Sequence, residues 1–343
     1  MKKLMILLLS EFKEIRESLF VERSLFAGGW QEMMGRIGFS ARAFLAVIVL
    51  FGLLLGTGGF GQFGQQVEAR EGFIEIRGSD TQVNLVASLA EAYMEINPEA
   101  MISVTGGGSG TGIAALINNQ IDLANSSREI TDSEIEQARE RGVDPVRIII
   151  AMDGLSVVVN EDNPVDELTR EEIGAIFSGE ITNWQDVGGE DREISLYGRQ
   201  SNSGTYVYFR ENVVRADFSE DKMRMNGNAQ IVEGVLGDSS AIGYVGVGYT
   251  VDGGEVVKGL KILGVALDED SPYVKPLDPA NVADGSYPIA RPLHHYSNGV
   301  PEGLIRDYIE FVLSDEGQQV AVNSGFYPVT EEFREVNRTN LGW

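Results

Sequence analysis

An α/β fold that crosses between two domains, preceded by an apolar export or anchoring segment, is what the sequence predicts. Three observations carry this. Short apolar strands alternate with helix-spaced segments through polar or glycine-rich turns, the pattern of a sheet whose loops gather at the strand ends. The 343 residues suffice for two domains or one large one. An uncharged run, AFLAVIVLFGLLLGT at 43–57, stands apart from the rest behind a glycine-rich stretch.

Arg36 and Arg42 precede that run and acidic residues follow from Glu68, which points the N-terminus to the cytoplasm and the body outward. Residues 59–66 read as a flexible linker rather than a core partner. Val67-Glu68-Ala69 resembles a small-residue cleavage site, so the segment is either a cleaved signal or a retained anchor helix. Phe73–Ile76 is the first strand. Gly78-Ser79-Asp80-Thr81 is a turn with capping residues, and Val83, Val86, Leu89, Ala90 and Tyr93 recur at helical spacing. Met101–Val104 is the next strand, and the glycines from 106 to 112 open a helix through Ile113, Leu116 and Ile117. Ile121–Ala124 is strand-like. Val146–Met152 and Leu155–Val159 are apolar strands on either side of Asp153-Gly154, where the chain crosses between domains. Leu168–Phe177 is helical and closes at Ser178-Gly179. Ile194–Tyr197 is a strand leading to Arg199, and a helix opens at Ser203. Asn228–Leu236 is helical and Ala241–Tyr244 a strand. Gly303–Leu313 and Gly317–Asn323 are helices of a segment that rejoins the first domain from about Arg291. The boundaries are therefore 1–69 for the leader, 70–155 and 291–343 for the first domain with its tail, and 156–290 for the second.

Composition excludes several classes. With no cysteine there is no disulfide, thiolate nucleophile or cysteine metal site. The net charge is −25, and it is unevenly placed: 7 basic and 6 acidic residues through Ala69, 20 basic and 46 acidic after it. Such a surface repels nucleic acid and anionic headgroups, so any anion site must work through local donors. Only four lysines follow Ala69, and an acidic, lysine-poor surface suits salty surroundings.

Two Ser-Gly-Thr triplets carry the chemistry. Ser109-Gly110-Thr111 lies in the glycine run, and Ser203-Gly204-Thr205 begins four residues after Arg199. Each opens a helix, whose first turn offers unpaired N–H donors and the positive end of the backbone dipole. Two such ends with hydroxyls and one guanidinium suit a tetrahedral oxyanion. Ser79 and Thr81 stand at a third strand-to-helix turn, where capping and ligand contact use the same surface. Ser127 and Arg128 end another strand. Asp153, at the crossing, reads as a hinge residue or as an acceptor for the proton of hydrogen phosphate, a proton that sulfate lacks at neutral pH. The glycine run loosely fits a dinucleotide turn, but no lysine follows it as in a phosphate-binding nucleotide loop. His294 and His295 are adjacent and cannot converge on one metal, so no metal and no cofactor is expected. No Gly-x-Ser-x-Gly frame surrounds Ser109, which argues against a serine hydrolase.

From about residue 72 to 330 the chain resembles the phosphate-binding proteins of bacterial and archaeal phosphate ABC importers. The resemblance rests on Gly78–Thr81, Gly107–Thr111, Leu168–Phe177, Gly179-Glu-Ile-Thr-Asn-Trp184, Arg199 with Ser203-Gly204-Thr205, Ala241–Tyr244, Leu313–Gln318 and Gly325–Pro328. It implies a two-lobed periplasmic-binding-protein fold with hinge crossovers, a monomeric extracytoplasmic receptor that closes on dehydrated phosphate and delivers it to ABC permease subunits, without catalysis. Thr81 and Ser109 correspond to first-lobe contacts; Arg199, Ser203, Gly204 and Thr205 correspond to second-lobe contacts. The pattern departs at Ser127, where many members carry the aspartate that accepts the phosphate proton. That leaves rejection of sulfate to Asp153 or to a weaker bond at Ser127. Receptors for sulfate, molybdate or tungstate, and a phosphate-binding surface protein without a permease, are the alternatives.

Overall fold

The computed structural model describes residues 72–343, so the apolar run, its linker and Val67-Glu68-Ala69 lie outside the described residues. Among those described, no helix is long and apolar enough to cross a membrane. Strand β1 (Phe73–Gly78) alternates half-buried and buried residues and passes through a 3-10 turn at Asp80–Gln82 into helix α1 (Val83–Ile96). That helix buries Leu85, Val86, Leu89, Ala90 and Tyr93 along one face. β2 (Met101–Thr105) leads through glycines into α2 (Ser109–Ile117), and β3 (Leu123–Ser126) leads to α3 (Asp132–Glu140). α3 buries only Ala138 and is fixed by a capping box, in which Thr131 and Glu134 each accept from the other's backbone N–H.

β4 (Pro145–Gly154) and β5 (Ser156–Asn160) follow with Leu155 alone between them. β6 (Glu167–Thr169) runs into α4 (Arg170–Ser178), which has a second capping box at Thr169 and Glu172 and ends at left-handed Gly179. β7 (Ser195–Arg199), α5 (Gly204–Phe209), β8 (Met223–Met225), α6 (Asn228–Gly237) and β9 (Ala241–Val245) build the next region. Four short strands follow: β10 (Val251–Asp252), β11 (Glu255–Val256), β12 (Leu260–Ile262) and β13 (Gly264–Ala266). The chain closes with α7 (Pro279–Ala283), β14 (Ala290–Asn298), α8 (Gly303–Leu313), α9 (Asp315–Asn323) and α10 (Glu331–Leu341).

Two five-stranded sheets organise these elements into a two-lobed α/β architecture. The first has the order β2-β1-β3-β14-β4, with β1 parallel to both neighbours and β14 antiparallel to both of its own. The second has the order β12-β5-β9-β7-β8, with β7 parallel to β8 and β9. Both belong to one unit, Val67–Trp343. The chain leaves the first sheet at Leu155 and returns at Ile289, and the two crossings are bonded to each other, Leu155 N donating to Ile289 O at 3.2 Å. One core joins Ile74, Ile148 and Ile150 of the first sheet to Leu89 and Tyr93 of α1 and Tyr308 and Val312 of α8. α2 and α3 cover the opposite face with Ile113, Leu116 and Ala138. In the second lobe Phe209 stacks on Tyr244 at 4.0 Å, with Phe177 edge-on to both.

β14 carries both histidines into the interior, on opposite faces: His294 lies beside Tyr296 and His295 beside Tyr308. Burial holds both imidazoles neutral and depresses each to about 3. The unfolded chain protonates them near 6.5, so between pH 6.5 and 3 it binds more protons than the folded one. Their contribution is complete above pH 6.5 and is lost as pH falls through that window. His295→Leu is expected to flatten the loss of stability below pH 6 relative to the parent, measured by urea unfolding at several pH values.

Candidate functional site

The turns after β1, β2, β3 and β7 meet where the two lobes touch, at the carboxyl ends of their strands. Side-chain hydroxyls form a connected chain there. Ser109 Oγ lies 3.3 Å from Ser127 Oγ, and Ser79 Oγ donates to Ser127 Oγ at 3.0 Å. Ser127 Oγ is 3.3 Å from Thr205 Oγ1, which is 2.8 Å from Thr81 Oγ1. Thr205 belongs to the second lobe and the others to the first, so the chain spans the interface. Ser79, Thr81, Ser109, Ser127 and Thr205 are all buried. The two helix starts also touch directly: a Cβ on Gly204 would lie 2.3 Å from Ser109 Oγ. Beside them Gly110 N donates to Asn202 O at 3.0 Å across the interface.

Two guanidiniums flank the hydroxyls. Arg199, 2% exposed, donates from Nη1 to Asp80 Oδ2 at 3.2 Å and from Nη2 to Asn226 O at 3.0 Å. Its Nε is buried with no protein partner. Burial lowers its pKa from the ordinary value, and the charge of Asp80 opposes that shift. A guanidinium titrates so high that it stays charged. Arg291, 1% exposed, donates to Asp153 Oδ2 from Nε at 3.0 Å and Nη2 at 2.8 Å, to Ser127 O at 2.9 Å and to Thr205 Oγ1 at 3.0 Å. Two arginines thus face two aspartates, and the formal charges at the site cancel. An anion seated here meets oriented donors rather than net positive charge.

Residues 64–316 match the model of the PBP superfamily domain. The chain is 32% identical over 296 residues to the phosphate-binding protein PstS of Pseudomonas aeruginosa, covering 81% of this chain and 90% of that one. It is 31% identical over 268 residues to PstS of Bacillus subtilis, covering 77% and 83%. This chain belongs to the PstS family, within the PBP superfamily. A crystal structure from Clostridium perfringens, of a phosphate ABC transporter substrate-binding protein with bound phosphate, superposes with a TM-score of 0.66. Its sequence identity is 27%, over 75% of this chain and all of that one. As a PstS-family binding protein the chain is not an enzyme, and among the described residues no group of His, Asp and Glu is placed to hold a metal ion.

Of the expected contacts, Ser79, Thr81, Ser109, Ser127, Arg199, Gly204 and Thr205 come together. Ser203 caps α5, its Oγ accepting from Tyr206 N at 3.4 Å, and Gly110 contributes through its backbone. Two residues do not join them. Thr111 is exposed and its hydroxyl donates to Gly107 O at 3.0 Å. Arg128 is forked onto Glu134 at 2.7 and 2.8 Å, the same carboxylate that closes the α3 capping box. Asp153 stands one residue before the end of β4, with Oδ2 held by Arg291 and Oδ1 accepting from Val247 N at 3.0 Å. Its carboxylate is therefore already engaged by three donors. Arg291, Asp80 and Asn228 also belong to the site, and their neighbours in the sequence carry no motif that marks them. The one available signal is an arginine, Arg291, at the head of a strand that is otherwise buried along most of its length.

Gly204 offers a direct test of the close approach. Gly204→Ala places a methyl group against Ser109 Oγ and Ser127 Oγ of the other lobe, at 2.3 and 2.9 Å before relaxation. The lobes relieve that clash by parting, so the variant is expected to fold with an unchanged melting temperature to within a few degrees while phosphate affinity drops at least tenfold in calorimetry.

Proposed function

We propose that this chain captures inorganic phosphate outside the cytoplasmic membrane and hands it to the permease of an ABC importer, by binding and release alone. PstS-family membership supports the ligand and the partner. The observation that carries the site is the hydroxyl chain, contributed by both lobes and linked through Asn228 and Asp80 to Arg199, which keeps one buried nitrogen unpaired.

In this reading the crossings at Leu155 and Ile289 are the hinges. With the lobes apart, the oxyanion meets Ser109 and the N-terminal amides of α2 on one side. On closure it exchanges its water for Thr81, Ser127, the α5 start with Thr205, and Arg199. Its oxygens then replace the hydroxyl-to-hydroxyl contacts with hydroxyl-to-oxyanion ones, which are stronger because the acceptor is charged. Exclusion of water strengthens each further. Docking on the permease favours the open form and releases the ligand. Residues 43–57 export the chain or hold it at the membrane.

Selectivity rests on the proton of hydrogen phosphate. Ser127 is the acceptor in this reading, since the Asp153 carboxylate is held by Arg291 and Val247 N, and sulfate has no proton to offer it. Calorimetry with phosphate, and with arsenate and sulfate as competitors, tests this. Arsenate is expected to displace phosphate and sulfate to leave it bound. Tight sulfate binding would reassign the chain to another oxyanion.

The global charge adds a kinetic expectation. A net −25 protein repels a dianion at long range, and salt screens that repulsion. The association rate for phosphate is expected to rise between 20 and 300 mM salt, a direction stopped-flow mixing reads directly.

A further inference from the structure

We propose that Asp80 is an interlobe latch, a first-lobe carboxylate that caps a second-lobe helix and fixes the orientation of Arg199. It deepens the phosphate reading and takes phosphate as the ligand from it. Asp80 lies in the turn after β1. Its Oδ2 accepts three hydrogen bonds, all from the other lobe: Asn228 N at 2.8 Å, Asn228 Nδ2 at 2.7 Å and Arg199 Nη1 at 3.2 Å.

Asn228 is the first residue of α6, and that helix has no cap of its own. Its N-cap position is Gly227, with no side chain to accept an N–H. A Cβ at Gly227 would come within 3.1 Å of Asp80 Oδ1, so the glycine leaves room for the carboxylate from across the interface. The cap that most helices carry in their own sequence is here supplied by the opposite lobe. Negative charge at this end also suits the helix dipole. The Asp80 backbone is anchored as well, its carbonyl accepting from Tyr249 OH at 2.7 Å.

The same carboxylate sets Arg199. With Nη1 on Asp80 and Nη2 on Asn226 O, the buried Nε is the guanidinium nitrogen left without a protein partner. Asn228 links the latch to the hydroxyl chain, its Nδ2 lying 3.4 Å from Thr81 Oγ1. Parting the lobes breaks all three bonds at Oδ2, uncaps α6 and frees Arg199. Asp80 is thus a positioning residue: closure and the ligand-ready guanidinium form together. Encounter takes place with the lobes open, so the latch acts on release rather than on capture.

The test uses the full chain and Asp80→Asn, which keeps the shape and removes the charge. Because the chain has no cysteine, Glu136→Cys and Gln185→Cys place a unique pair of spin labels, one on each lobe, for distance measurement. The expected result is phosphate release at least tenfold faster, association changed less than threefold, and a phosphate-free distance distribution shifted to longer separations. Asp80→Glu, which keeps the charge but displaces it, is expected to fall between the two. Unchanged release with an unchanged distribution overturns the latch. So does tighter binding in Asp80→Asn, which would mean that Asp80 competes with phosphate for Arg199. If the parent chain fails to bind phosphate, the functional reading fails, while the phosphate-free distances still decide the latch.

Discussion

Arg199→Ala is expected to weaken phosphate binding at least a hundredfold, about 2.8 kcal/mol. The guanidinium is buried, its Nε has no protein partner, and it is joined to the hydroxyl chain through Asp80 and Asn228, whose Nδ2 reaches both Asp80 Oδ2 and Thr81 Oγ1. Asp80 is itself a quarter exposed, so the loss comes mainly from the buried guanidinium's missing contact with the anion rather than from stranding its partner. That partner keeps its bonds from Asn228 but adds an uncompensated negative charge beside the anion. Arg199→Lys retains the charge without the planar fork and is expected to recover only part of the loss. Calorimetry checks both variants, with a thermal scan to show that each is folded. Less than a threefold loss in Arg199→Ala would remove this residue from the site.

Arg291→Ala is expected to cost the fold itself about 3–5 kcal/mol, since it strands the fully buried Asp153 without its counter-ion. It also removes the donors to Ser127 O and Thr205 Oγ1. The double variant Arg291→Met, Asp153→Leu removes both charges at once. It is expected to regain much of the stability, because a desolvated pair often breaks even against apolar groups of similar size. It is not expected to regain phosphate affinity. Urea unfolding measures the first quantity and calorimetry the second, so the pair separates the structural share of this ion pair from its share in binding.

The sequence was legible where one residue face does one thing. α1 and α8 carry continuous apolar stripes, and β4 is buried along most of its length, so their patterns announce them. α3 and α10 are not announced by the sequence because each buries little apolar surface. α3 rests on its capping box, and α10 is pinned by Asn337, which bonds both the N–H and the carbonyl of Ile149 at 2.8 Å. β10 to β13 are two or three residues long, too short for alternation to register. At the site, Ser109, Thr205 and Arg199 were readable because each sits beside a helix-start motif. Thr111 was grouped with Ser109 by the same motif, yet residues two apart on a helix point about 200° apart and do not face one ligand. Arg128 pairs with Glu134, a partner placed by α3, whose sequence carries no apolar stripe to announce it. Arg291, Asp80 and Asn228 acquire their roles only when distant segments meet, and nothing in their immediate neighbours encodes that.

A crystal structure of the protein grown with inorganic phosphate tests the central claim most directly. The account predicts one phosphate between the lobes, with Ser109 of the first, Thr205 of the second and Arg199 all within hydrogen-bonding distance, about 2.7–3.2 Å, of its oxygens. A phosphate held by one lobe alone, or bound away from Ser109 and Arg199, would contradict it.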